Sequence, residues 1–241
     1  MDVYWLEQTE ADVPAENDWL GARELACLDG LRFAKRRADW RLGRWTAKSA
    51  LAVWLGVPTH TQVLAKIEIR PAPSGAPQVF VADKPADLTV SLSHRASRAV
   101  CAVAASSVEL GCDLEMIESR TDAFVSDYFT TEEQKLVARA PAMDRSRLLA
   151  LLWSAKESAL KALQSGLRLD TRTVIVTPDV ASFDLNGWRA LKVHHTDGRV
   201  FHGWWQHTDN ILRTLVADPP PDAPIPLEIR TYSPDRAFRC A

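Results

Sequence analysis

Two long helical stretches, each trailed by short strand patterns, constrain this chain more than anything else in its sequence. Residues 31–55 run without a proline. Ala38, Leu42, Trp45, Ser49 and Ala52 recur there at three- and four-residue steps, the period of a helix with one face on a core. Gly56 and Pro58 end it. Residues 147–163 repeat the theme, with Leu148, Leu151, Leu152, Ala155, Ala159, Ala162 and Leu163 in one broad stripe and Gly166 closing the helix. Strand patterns at 65–70, 88–92 and 99–105 follow the first helix, with a turn at 71–77 and a polar bend at 93–98. Another strand pattern, 108–117, precedes the second helix. Strands at 172–177, 188–195, 200–206 and 211–217 follow it, with Trp204 and Trp205 assigned to the core. Thr131 with Gln134 marks a further helix entering near Glu132.

This succession predicts an α+β fold of two tandem similar halves, residues 1–107 and 108–217, with an extended proline-rich tail at 218–241. No residue-level repeat stands behind that duplication. The 241 residues are 46% apolar, enough for a sizeable core, and their 25% charged content is ordinary for a globular chain. Cys27, Cys101, Cys112 and Cys240 show no C-x-x-C spacing, so no zinc site or disulfide framework is expected. With no apolar run near the ~20 residues a bilayer needs, and no export-type start, the expected location is cytoplasmic.

Four groups of residues could carry chemistry. On a strand, Asp113 and Glu115 project from one face, and two neighbouring carboxylates favour a hard cation such as Mg²⁺. Two acids on a solvated edge strand would give the same pattern. On the second long helix, Glu157 and Lys161 share a face with Trp153 and Leu160. That apolar company points to a partly closed cleft, while an exposed i,i+4 Glu–Lys pair would give the same spacing. On the first helix, Arg37, Arg41, Arg44 and Lys48 line one face, a stripe suited to phosphates or another polyanion and equally to a solvated basic face. Lastly, Ser91, Ser93 and His94 end a strand and offer donors to a phosphate. The chain has no Walker A loop, no G-x-G-x-x-G and no G-x-S-x-G elbow.

These pieces occur together and in order. Gly111-Cys-Asp113-Leu-Glu115 resembles the middle motif of the Sfp-type 4′-phosphopantetheinyl transferases, G-[IV]-D-[IV]-E. Trp153-Ser-Ala-Lys156-Glu157-Ser-Ala-Leu-Lys161 matches their later motif, W-[ST]-x-K-E-[SA]-x-x-K. Phe129-Thr-Thr-Glu-Glu133 is similar to the helix entry between them. Ser91-Leu-Ser93-His94 is similar to their S-H segment, and the run from Arg36 to Lys48 to the basic helix that grips coenzyme A. The resemblance extends from about Arg32 to about Leu169.

It implies a pseudo-twofold fold with the site in the cleft between halves. It also implies transfer of the 4′-phosphopantetheine arm of coenzyme A to a serine of apo acyl or peptidyl carrier proteins, with release of 3′,5′-ADP. Asp113, Glu115 and Glu157 would hold Mg²⁺, with Mn²⁺ an alternative. Glu157 and Lys161 would be catalytic, as general base and phosphate-stabilising cation. Lys35, Arg37, Lys48, Ser93, His94, Lys156 and Lys161 would contact coenzyme A. The carrier protein would meet residues 116–136. The enzyme would serve polyketide, nonribosomal peptide or fatty acid synthesis as a monomer, without nucleic acid or membrane partners.

Two departures stand out: Cys112 replaces a branched aliphatic, and Ala76 replaces the lysine of the usual G-K-P, with Lys84 or Arg95 as stand-ins. A Mg²⁺-dependent phosphodiesterase or nuclease would use the same acids. The net charge of −2 and the lack of basic–aromatic interleaving beyond Trp40 and Trp45 weigh against it. An inactive carrier-protein binder would not need the intact Glu157–Lys161 pair.

Overall fold

The computed structural model describes residues 1–165, 168–178 and 187–229. The chain runs β1 (Tyr4–Thr9), α1 (Ala22–Asp29), α2 (Ala34–Trp54), α3 (Thr61–Leu64), β2 (Ile67–Pro71), β3 (Pro77–Val81), β4 (Lys84–Pro85), β5 (Leu88–Arg95) and β6 (Arg98–Ala105). It continues through β7 (Glu109–Met116), α4 (Asp122–Tyr128), α5 (Thr131–Arg139), α6 (Ala142–Ala162), β8 (Val174–Pro178), β9 (Arg189–His195), β10 (Val200–Thr208), β11 (Ile211–Asp218) and β12 (Ile225–Pro226). Three sheets form, in the orders β12-β1-β6-β5, β7-β11-β10-β9-β8 and β2-β3-β4. The mixture of helix and sheet is the α+β class expected. Among the described residues no helix is long and apolar enough to cross a membrane.

Strand alternation stacks these parts into layers. On β6, Cys101 and Val103 point into a core beneath α2, shared with Leu6, Ala47, Ala50 and Leu51. Val100, Ala102 and Ala104 point the other way and meet Leu110, Cys112, Leu114, Leu215 and Ala217 of the five-stranded sheet. The far face of that sheet, with Val193, Phe201, Leu212 and Val216, packs under Leu152, Ala155 and Ala159 of α6. The order is therefore helix, sheet, sheet, helix. Trp205 is buried in the last of these cores, while Trp204 faces the other way and donates from Nε1 to the Pro221 carbonyl at 3.1 Å. The proline-rich tail is tied down as far as it is described. β12 pairs in parallel with β1, and Leu227 N–H donates to Trp5 O at 2.8 Å.

Several local expectations shift. The cap of α5 is Thr130 with Glu133, one residue earlier than the Thr131–Gln134 pair, and both reciprocal bonds form. Helix α6 starts at Ala142, ahead of 147, because Pro141 suits a helix start. It ends at Ala162 with Leu163 as its cap, and Gln164 at φ +52° then turns Ser165 N–H back to Leu160 O. Gly166 lies outside the described residues, as does Cys240. Strands β3 and β4 escaped the sequence pattern because their alternation is broken by prolines.

The structure also exposes a repeat that the sequence reading lacked. Trp45-Thr-Ala-Lys48 on α2 and Trp153-Ser-Ala-Lys156 on α6 share one pattern. Lys48 is fully buried, pairs with Glu24 and donates to the Trp19 and Leu64 carbonyls. Lys156 is fully buried, pairs with Glu133 at 2.8 Å and donates to the Thr171 and Val174 carbonyls. Glu24 also accepts from Gly21 and Ile69 N–H; Glu133 accepts from Thr130 and Val176 N–H. Each lysine thus locks its long helix to a capped short helix and to a strand.

Candidate active site

Gly111 decides where α6 sits. A Cβ added there would lie 1.7 Å from the Ser158 carbonyl oxygen, so only glycine lets the helix backbone settle on β7. Two residues on, the same strand face presents Asp113. One helical turn beyond Ser158, Lys161 Nζ reaches Asp113 Oδ1 at 2.8 Å and the Cys112 carbonyl at 2.9 Å. Ser93, from β5 in the other sheet, donates to the same Oδ1 at 2.8 Å. Its neighbour Ser91 accepts from Cys112 N–H at 2.9 Å. The two sheets are stitched along β5 and β7 by serine side chains, and one stitch holds the carboxylate.

Asp113 is 2% exposed, yet its Oδ2 has no hydrogen-bond partner among the described residues. Beside it, burial pushes the Glu157 carboxyl up to about 7. The Asp113 charge adds to that rise, Lys161 opposes it, and Glu115 adds again. Glu157 can therefore hold or release a proton near neutrality. Burial works against the Lys161 ammonium, but Asp113 and its neighbours outweigh it, and its pKa ends above the usual lysine value. The Glu115 carboxyl is raised, mainly by burial and then by Asp113, with Arg95 and Arg120 opposing. Arg120 bonds it at 3.1 Å and Arg95 approaches to 3.6 Å.

Whether this set suits a divalent cation follows from its donors. Among the described residues no three His, Cys, Asp or Glu groups converge as a ready metal cage. Asp113 and Glu157 nonetheless bring two hard carboxylates together, one with an orphaned buried oxygen. Mg²⁺ typically takes one or two carboxylates and fills its shell with water and phosphate oxygens, so the pair fits it. Glu115 is turned to its arginines.

A cleft of about 1010 Å³ opens next to Lys161, between the β2–β3 hairpin, β5 and the end of α6. Its basic lining is Arg44, Arg70, Lys161 and Arg168. The sequence reading named only Lys161 of these as a coenzyme A contact. Lys48 and Lys156 are corrected: each is 0% exposed and spent on a buried glutamate, and burial pulls each below the usual lysine pKa against that glutamate's attraction. Arg37 is committed to the Leu28 and Leu31 carbonyls, and Arg41 to those of residues 14–16. Lys35 is exposed, pairs with Asp39 at 2.7 Å and does not line the cleft. His94 is exposed, its ring over Gly43 of α2. Neither Lys84 nor Arg95 lines the cleft as a stand-in beside Ala76; Arg95 bonds Glu118 at 2.9 Å. Arg70 and Arg168 were missed because the hairpin and the post-helix turn carry no motif of their own.

Residues 109–214 match the model of the 4′-phosphopantetheinyl transferase superfamily. The match starts on β7 and ends on β11, so it holds Asp113, Glu115, Glu157 and Lys161 and excludes α2 and β5. Among solved structures, Helicobacter pylori holo-[acyl-carrier-protein] synthase (AcpS) in complex with coenzyme A aligns at 18% identity with a TM-score of 0.30. The alignment covers 43% of this chain and 99% of that one. Comparison with curated proteins returns no match.

Proposed function

We propose that this chain transfers the 4′-phosphopantetheine arm of coenzyme A to a serine hydroxyl of apo acyl or peptidyl carrier proteins and releases 3′,5′-ADP. The observation that carries the reading is the Asp113–Glu157–Lys161 constellation at the edge of a large cleft, inside the segment that matches the superfamily. The Sfp-type motifs along the rest of the chain support the finer assignment. The paired Trp-Thr/Ser-Ala-Lys helices support tandem halves about a pseudo-twofold axis.

In this mechanism the serine oxygen bonds to the β-phosphorus as the bond to the bridging oxygen breaks. Glu157 takes the hydroxyl proton. Lys161, fixed by Asp113 and the Cys112 carbonyl, presents its charge to the cleft, where negative charge gathers on the leaving 3′,5′-ADP. Ser93 keeps Asp113 oriented. Asp113 and Glu157 would hold Mg²⁺, which when bound offsets phosphate charge. Pathway and oligomeric state follow the same reading: a monomer serving polyketide, nonribosomal peptide or fatty acid carriers.

The test is intact mass spectrometry of an apo carrier protein incubated with this chain, coenzyme A and Mg²⁺, with and without EDTA. A gain of one phosphopantetheine, absent with EDTA, is expected. No gain across several carrier types overturns the proposal.

A further inference from the structure

Of the four basic residues lining the cleft, three already answer to carboxylates. Arg44 lies 3.7 Å from Glu24, Arg70 pairs with Glu68 at 2.6 Å and with Asp83, and Lys161 holds Asp113. Arg168 differs. Among the described residues its guanidinium donates only to backbone oxygens: Ser74 O at 2.6 Å across the cleft, and Ser165 O at 3.0 Å and Gln164 O at 3.4 Å on its own side. No carboxylate among the described residues pairs with it. Ser74 sits at the tip of the β2–β3 hairpin, a turn closed by Ala72 N–H to Ala76 O and by Gly75 at φ +90°. The arginine therefore straps two cleft walls together while its charge stays uncompensated.

We propose that Arg168 binds a phosphate group of coenzyme A, exchanging its hairpin carbonyl for the incoming anion. This rests on the coenzyme A reading above. A phosphate meets the guanidinium with opposite charge and two oxygens in a bidentate fork, whereas the Ser74 carbonyl is a single neutral acceptor, so a polyphosphate entering the cleft draws the arginine from Ser74. Coenzyme A offers two such sources, the 3′-phosphate and the diphosphate.

The experiment is calorimetric titration of coenzyme A and dephospho-coenzyme A into the wild-type chain, Arg168→Gln and Arg168→Lys at two salt concentrations. Arg139→Gln, an exposed change outside the cleft, is the control. Arg168→Gln is expected to weaken coenzyme A about tenfold and to flatten the salt dependence, with Arg168→Lys recovering part of the loss. A loss confined to coenzyme A assigns the contact to the 3′-phosphate, and a loss shared with dephospho-coenzyme A assigns it to the diphosphate; both uphold the inference. Equal or tighter binding by Arg168→Gln, from a wild type that does bind, overturns this inference alone and leaves Arg168 a strap. A wild type that binds neither compound overturns the coenzyme A reading and this inference with it.

Discussion

Helices α2 and α6 start from the same pattern and do different work. Both bury a lysine against a capping glutamate, Lys48 with Glu24 and Lys156 with Glu133. The difference lies one residue further on. Ser49 follows Lys48, and its buried Oγ has no partner among the described residues; Glu157 follows Lys156 and sits with Asp113 and Lys161. The facing strands differ in step. β1 turns Leu6 and Gln8 toward α2, whereas β7 turns Asp113 and Glu115 toward α6. Within the Trp-Ser-Ala-Lys-Glu stretch, then, the lysine belongs to the scaffold, and the glutamate is the residue the proposed chemistry uses.

The largest expected effect separates those roles. Glu157→Gln should slow carrier modification by roughly 10²–10⁴-fold in a discontinuous mass assay while the fold persists, the usual range for a lost general base. An activity within twofold of wild type would remove Glu157 from the proton transfer. The lysines should behave as a matched pair in urea unfolding. Lys48→Met and Lys156→Met each strand a buried glutamate and should cost about 3–5 kcal/mol. If one is tolerated and the other is not, the equivalence of the two helices fails.

Gly111→Ala comes next, at about 1–3 kcal/mol, because the new methyl must push Ser158 and α6 off β7. Activity should fall with it, since Lys161 and Glu157 ride on the displaced helix. A variant as stable and as active as wild type would show that the close approach is dispensable.

A smaller effect is in pH. The Glu157 carboxyl is raised in the fold, so the folded state binds the proton more tightly than the unfolded chain does. Its protonated form favours folding, and that contribution fades as pH rises from the ordinary carboxylate range through about 7. Glu157→Gln should therefore melt higher than wild type at pH 8 and close to it at pH 4. The reverse order in differential scanning fluorimetry would contradict a raised pKa. Ser49→Ala, at the corresponding place on α2, should change stability by less than about 1 kcal/mol, because its hydroxyl makes no bond to any described residue.

Much of this architecture is legible from the sequence where local periodicity speaks. The two long helices, β5 to β7 and the late strands all follow from spacing, and the acidic pair on β7 needs only the alternation of a strand. Long-range partners are what spacing conceals. Lys48 stands in a basic run and reads as a coenzyme A contact until Glu24 arrives from α1; Lys156 reads as another until Glu133 arrives from α5. Ser93 reads as a phosphate donor, whereas it bonds a carboxylate of the neighbouring sheet. Thr130-Thr131 and Glu133-Gln134 satisfy a capping pattern in two registers, and only the backbone chooses between them.

The serine stitches along β5 and β7 carry a consequence for anyone who would shorten the chain. A fragment cut to residues 109–214 would keep every acid of the site and still lose the hydroxyl that orients Asp113. It would also turn Leu110, Cys112, Leu114 and Leu215 out to water, a greasy panel that the first sheet now covers. Such a fragment would seek a second copy of itself or precipitate, so the region richest in recognisable chemistry depends on the first sheet for its cover.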